Sequence, residues 1–119
     1  MYIFSFEKLE VWKESIKLLK HIYEITKSFP SEEKFGLISQ LRRASVSISS
    51  NLAEGTSRNT DKDKAHFTTI SYSSTMEVLN QLIISKELGF IDEENYLTIR
   101  LQINKISNML NALRKAQLK

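Results

Sequence analysis

The sequence predicts an all-α fold, an antiparallel up-down-up-down four-helix bundle in a single domain over residues 1–119, and three observations predict it. Apolar residues recur at three- and four-residue spacing along four long segments. One Pro and three Gly in 119 residues leave few places for the chain to turn. The breaks that do exist are short, and short connections favour antiparallel neighbours.

The first helix is expected from Phe6 to Lys27, with Leu9, Trp12, Ile16, Leu19 and Tyr23 on one stripe and Val11, Leu18, Ile22, Ile25 and Phe29 on an adjoining one. Together these cover about half the circumference, against the ~100° stripe that a surface helix needs. The excess predicts self-association. Pro30 ends this helix, Ser31 caps the second, and Glu32 and Glu33 suit the positive end of its dipole. The second helix is expected to reach Glu54, with Gly55 as its stop. Thr60 and Asp63 read as a capping box opening the third helix, Asp61 to Leu88. Phe67, Ile70, Val78 and Leu82 lie on one of its sides and Tyr72, Met76, Leu79 and Ile83 on another, so it needs two neighbours. Gly89 closes it and Asp92 caps the fourth helix, whose Tyr96, Ile99, Ile103, Ile106, Leu110 and Leu113 form a 3-4 stripe. The terminal ALRKAQLK is expected to fray.

With 41% apolar and 26% charged residues the composition is that of a folded protein, and its apolar runs fall far short of the roughly 20 residues of a membrane span. Glu and Lys punctuate MYIFSFEKLEVW, which therefore does not resemble a signal peptide; a cytoplasmic location is expected. Absence of Cys removes disulfides, thiolate chemistry and Cys-based zinc sites. The net charge of +3 leans mildly toward an anionic partner.

The most informative stretch is Phe29 to Gly55, FPSEEKFGLISQLRRASVSISSNLAEG. At about 100° per residue, Leu41, Ala44, Ile48 and Leu52 share one side, and Gln40, Arg43, Ser47, Asn51 and Glu54 form a polar line beside them. Small neighbours (Ala44, Ser45, Ser47, Ala53) suggest polar groups held between closely packed helices, where each charge needs a partner. Arg43 and Glu54 lie eleven residues apart, about 16 Å along a helix, so neither can serve the other. Glu77 on the third helix is a candidate partner. A structural polar network is the preferred reading; a polar pore or ligand pocket is the alternative.

Several spaced motifs carry a family resemblance. FEKLEVWKESIKLLKHIYEITKSFPSEEKFGLISQLRRASVSISSNLAEG and HFTTISYSSTMEVLNQLIISKELGFI, roughly the first three quarters of the chain, resemble the four-helix-bundle proteins encoded within intervening sequences of bacterial 23S ribosomal RNA genes. The shared signatures are LxVW, FPxxExFGLxxQLRRAxxSIxxNxAEG and a later run of small residues, Ser and Glu. The resemblance implies a bundle assembling as a ring-like homopentamer, related to accessory proteins of diversity-generating retroelements that bind a reverse transcriptase and nucleic acid. It implies no catalysis. A ribosomal label on such proteins reflects gene position. Ser49 stands where the pattern usually has Pro, which puts a kink in the second helix in doubt, and Ser73 stands where it usually has Gly, which is expected to widen a close helix contact.

Enzyme chemistry has little support. His21 and His66 lack neighbours at metal-ligand spacing, and Asp61 and Asp63 near Glu54 fit a capped helix start better than a metal cluster. The serines of SVSISS have no nucleophile-elbow glycines, and no Gly-rich phosphate loop exists. No catalytic residue, metal or cofactor is assigned. Lys13, Lys17, Lys20 and Lys27 fall in a narrow sector of the first helix, and Arg58, Lys62 and Lys64 cluster at the second-to-third junction. These are the candidates for binding RNA or DNA, although Glu10, Glu14 and Glu24 precede three of the lysines by three residues, as in ordinary solvated pairs. The expected function is therefore a non-enzymatic homopentamer engaging structured nucleic acid or a ribonucleoprotein partner, such as a nucleic-acid-processing protein, with no membrane role. The alternative is a protein-binding scaffold without nucleic-acid affinity.

Overall fold

Four long helices and no strand make up the computed structural model, which covers residues 1–119: α1 (Glu10–Thr26), α2 (Ser39–Thr56), α3 (Asp61–Glu87) and α4 (Glu93–Gln117). No helix is long and apolar enough to cross a membrane.

The first helix starts later than its apolar pattern predicts. Residues Ser5–Lys8 form a separate tight turn, in which the Glu7 carboxylate accepts a 2.8 Å hydrogen bond from the Phe4 amide. Leu9 is extended, and its carbonyl accepts the first bond of α1 from Lys13 at 3.1 Å. Phe6 is thus outside the helix and packs edge-on against Trp12. Of the two stripes of α1, the one with Val11, Leu18 and Ile22 enters the core, joined by Ser15 and Thr26. Their hydroxyls donate to the Trp12 and Ile22 carbonyls, so burial leaves no orphan donor. The other stripe remains half-buried, with Tyr23 exposed.

The second helix also starts late. A tight turn over Ser31–Glu33 leads into a wide turn over Lys34–Ile38, where Gly36 leaves helical geometry at φ −109°, ψ −116°. Glu33, and not Ser31, supplies the cap, accepting from the Leu37 amide at 3.1 Å. Gly55 is no stop either. It lies buried within α2, where an added Cβ would sit 2.9 Å from the Cβ of Phe67. Its role is close approach of two helices, and the chain leaves α2 only after Thr56. Ser49 donates to the Val46 carbonyl inside an unbroken α2, and Ser73 is exposed, so the close helix contact that it was expected to widen is not made at this position within the chain.

The later boundaries follow the local signals. Thr60 Oγ1 accepts from the Asp63 amide at 3.1 Å, and Asp92 accepts from the Asn95 amide at 2.8 Å. Between them, Gly89 takes φ +79° to end α3, and the Phe90 amide bonds back to Ser85 at 2.9 Å.

The core contains Leu18, Ile22, Leu41, Ile48, Leu82, Ile99, Ile103, Ile106 and Leu110, all fully buried. The stripe expected on α4 is the one buried; α3 differs. Only Val78 and Leu82 of its expected apolar positions are buried, and its inner face is otherwise Ala65, Thr68, Ser71, Ser74, Thr75 and Ser85. Small hydroxyl side chains satisfy themselves locally, as Thr75 does on the Ser71 carbonyl, and let α2 come close. Ser71 donates to the Ile48 carbonyl at 3.0 Å and Ser47 meets Ser74 at 2.8 Å. Phe67 and Ile70 are left half-buried at the edge of this contact, the most extensive between any two helices.

Candidate nucleic-acid interface

The polar line of α2 follows from this close packing. Arg43 donates to Gln40 Oε1 at 3.0 Å and forms an ion pair with Glu77 of α3, which also accepts from Gln81 at 3.3 Å. Asn51 donates to the carbonyl and hydroxyl of Ser47, at 2.9 and 3.0 Å. Glu54 stands apart and faces Arg58, 3.9 Å away. The expectation of burial is corrected: the Arg43 side chain keeps 57% of its exposure and Glu77 36%, while Gln40 and Glu54 are exposed. Small residues bring the two backbones so near that long polar side chains are displaced to the rim. There an ion pair contributes about 1 kcal/mol or less.

No three His, Asp or Glu side chains converge where they could hold a metal ion. His21 is half-buried, meeting Gln102 Oε1 at 2.9 Å; His66 is exposed and edge-on to Phe67. The largest cleft, about 470 Å³, opens near His21, Glu24 and Asp92, away from the polar line. Its one hydroxyl, Ser28, donates to the Ile25 carbonyl.

The lysine row of α1 is largely neutralised by its own helix. Lys13 pairs with Glu10 at 3.4 Å, Lys17 with Glu14 at 3.4 Å and Lys27 with Glu24 at 3.1 Å, leaving Lys20 without a carboxylate. Lys105 of α4 also reaches Glu14, at 3.2 Å. Its hydrogen bond is the main cause holding the Glu14 carboxyl below the ordinary glutamate range; desolvation opposes the shift and Lys17 reinforces it.

The junction between α2 and α3 is different. The Arg58 guanidinium stacks on the Phe67 ring, 4.4 Å from its centroid, and its only carboxylate contact is the long one to Glu54. Lys62 and Lys64 take part in none of the ion pairs. Two further basic residues, Arg114 and Lys115, lie near the end of α4, and sequence reasoning missed them because the terminal segment was expected to fray. Instead α4 is helical to Gln117, whose Oε1 accepts from Thr68 at 2.7 Å, and Arg114 Nε donates to Thr69 Oγ1 at 2.9 Å. The alternation of apolar Leu110 and Leu113 with basic residues beyond them was the available signal. Glu54, Asp61 and Asp63 lie within the same stretch of chain as Arg58, Lys62 and Lys64, so the junction's own charges balance and its distinction is that Lys62 and Lys64 are unpaired.

These features define an all-α protein of four helices with no converged metal-ligand set and with cations distributed unevenly over its surface. The chain belongs to the 23S rRNA-intervening sequence protein family, which it matches over residues 7–112. Among solved structures it is similar to a protein of unknown function from the S23 ribosomal protein family of Bacteroides thetaiotaomicron, with a TM-score of 0.79 and 20% identity over 88% of this chain and 98% of that one. That likeness shows a shared fold. No curated protein matches the sequence. Neither the family nor this neighbour carries an enzymatic description.

Proposed function

We propose that this chain is a non-enzymatic, cytoplasmic, homo-oligomeric four-helix bundle that engages structured nucleic acid, RNA in the first instance, or a ribonucleoprotein partner. The observation that carries the reading is the α2–α3 junction of Arg58, Lys62 and Lys64, where a turn and a helix start hold cations with almost no carboxylate partners, together with Arg114 of α4, held against Thr69 further along α3. The up-down-up-down arrangement is part of the proposal. The pairs Arg43 with Glu77, Ser47 with Ser74 and Ile48 with Ser71 support it, because numbers rise on α2 as they fall on α3.

Assembly as a homopentamer rests on the family resemblance and on the apolar surface that one copy leaves uncovered. Leu97 and Leu101 keep 49% and 70% of their exposure beside an open groove of about 340 Å³ floored by Met76, Leu79 and Ile103. Tyr2 and Phe4 project from the N-terminal turn, 76% and 58% exposed. Repeating the junction around a ring would multiply its unpaired cations.

The test has two parts. Light scattering on a size-exclusion column is expected to give 69 kDa, five chains of 13.8 kDa, and a monomer at micromolar concentration refutes assembly. Titration of a structured RNA is expected to show affinity that falls steeply with salt and depends little on sequence, since counterion release drives it. The second reading, a scaffold that binds only protein, is favoured by the Leu97 and Leu101 groove. It gains if the intact oligomer binds no RNA at low salt.

A further inference from the structure

A shallow cleft of about 170 Å³ lies between α3 and α4, lined by Thr69, Tyr72, Asn111 and Arg114 among others. Its polar groups are arranged in a definite order. The Thr69 hydroxyl donates to the Ala65 carbonyl at 3.0 Å, so its lone pair is left to accept from Arg114 Nε at 2.9 Å. That bond fixes the plane of the guanidinium. Both terminal nitrogens of Arg114 then have no partner within the chain, neither carboxylate nor carbonyl.

Arg42 shows what a saturated version looks like. Its Nε donates to Thr26 Oγ1 at 3.0 Å, in the same relation to a threonine bonded back to its own helix. However, Arg42 Nη2 continues to the Tyr23 carbonyl at 3.3 Å and the guanidinium lies over the Tyr23 ring. Arg42 holds α1 to α2. Arg114 is oriented in the same way but left open.

We infer that this cleft is a phosphate subsite, in which Arg114, held by Thr69, donates both terminal nitrogens to the oxygens of one phosphodiester, with Asn111 beside it as a further donor. The inference rests on the nucleic-acid reading above and names the group that is gripped. A planar fork matches two phosphate oxygens, and fixing the fork beforehand removes the ordering cost of binding. Lys62, two turns before Thr69 on the same side of α3, and Lys115, next in the chain to Arg114, supply attraction without geometry. The subsite and the apolar groove share no lining residue, and seven residues of α4, about 10 Å along the helix, separate Arg114 from Ser107 at the near end of the groove.

The experiment is fluorescence anisotropy of a labelled RNA hairpin with the full chain in its assembled form, over a range of salt, for the parent, Arg114→Gln, Arg114→Lys and Thr69→Val. Thermal melts check that each variant folds. Arg114→Gln is expected to weaken binding about tenfold and to flatten the plot of log affinity against log salt by about one unit. Arg114→Lys keeps the charge, so it keeps the slope but does not recover the affinity. Thr69→Val, a change at a positioning residue, is expected to weaken binding about threefold with the slope unchanged. Arg114→Gln binding within twofold of the parent, or full recovery by Arg114→Lys, overturns the subsite and leaves the wider reading standing. A parent that binds no RNA overturns both.

Discussion

The lysine row of α1 and the α2–α3 junction look alike as sequence and differ as surfaces. Each places several cations close together, but on α1 the carboxylates of Glu10, Glu14 and Glu24 stand one turn before their lysines and meet them. At the junction, Asp61 and Asp63 sit in the first turn of α3, where the helix dipole favours them, and form no ion pair with Lys62 or Lys64. Counting cations puts the α1 row, with four, ahead of the junction, with three, whereas counting partners reverses the order, since three of the four are paired and only one of the three. A cation already paired must first lose that partner to bind a phosphate, and an unpaired one need not.

The largest expected effect breaks or keeps this comparison directly. Arg58→Gln with Lys62→Gln is expected to weaken RNA binding at least about tenfold at low salt, and Lys13→Gln with Lys17→Gln and Lys20→Gln no more than about threefold. An equal loss in both, read by anisotropy, would show that pairing on α1 is too loose to matter.

Packing beneath the junction gives the next effect. Gly55→Ala places a methyl 2.9 Å from the Cβ of Phe67, whose ring carries the Arg58 guanidinium. Overpacking costs about 1–3 kcal/mol and the gain in helix propensity offsets up to about 1, so a net loss of about 1–2 kcal/mol is expected in urea denaturation. If stability is unchanged while RNA binding persists, the contact is softer than its geometry implies.

The pairing rule applied to Arg43 predicts little. Since its ion pair with Glu77 lies at the rim, Arg43→Ala is expected to cost about 1 kcal/mol or less in the isolated chain. A much larger drop in melting temperature, or loss of the oligomer, would place this pair inside a subunit interface. Lys105→Gln should have the smallest effect. Pairing with Lys105 lowers the folded pKa of Glu14, so its stabilisation is present above the ordinary glutamate range and is lost as pH falls through the lowered value. Melting curves of parent and variant should differ by no more than about 1 kcal/mol near neutrality and converge in acid; a gap that persists in acid would assign Lys105 a packing role instead.

The periodicity of α4 and the caps at Thr60 and Asp92 were legible because each signal is local. Apolar spacing names a buried face when the face is apolar, and a capping side chain bonds an amide three residues away. The inner face of α3 was not legible. Its Ser and Thr read as polar, yet Ser71, Ser74 and Thr75 are buried because hydroxyls can return their hydrogen bonds to a nearby backbone carbonyl or to one another. Gly55 misled for the related reason that a glycine which ends a helix and one which admits a neighbour look the same in one dimension.

By itself the sequence determined the four-helix class, the boundaries at Thr60, Gly89 and Asp92 and most of the apolar core, since these depend on spacings within one helix and on residues that cap or break it. Tertiary structure decided which polar residues lie inside, that the Arg43 line sits at the rim, and that Arg114 is held against Thr69 of α3. These outcomes depend on how near two helices approach and which ends they bring together. Distances between segments far apart in the chain are set by the sum of all side-chain volumes between them, and no local pattern encodes that sum.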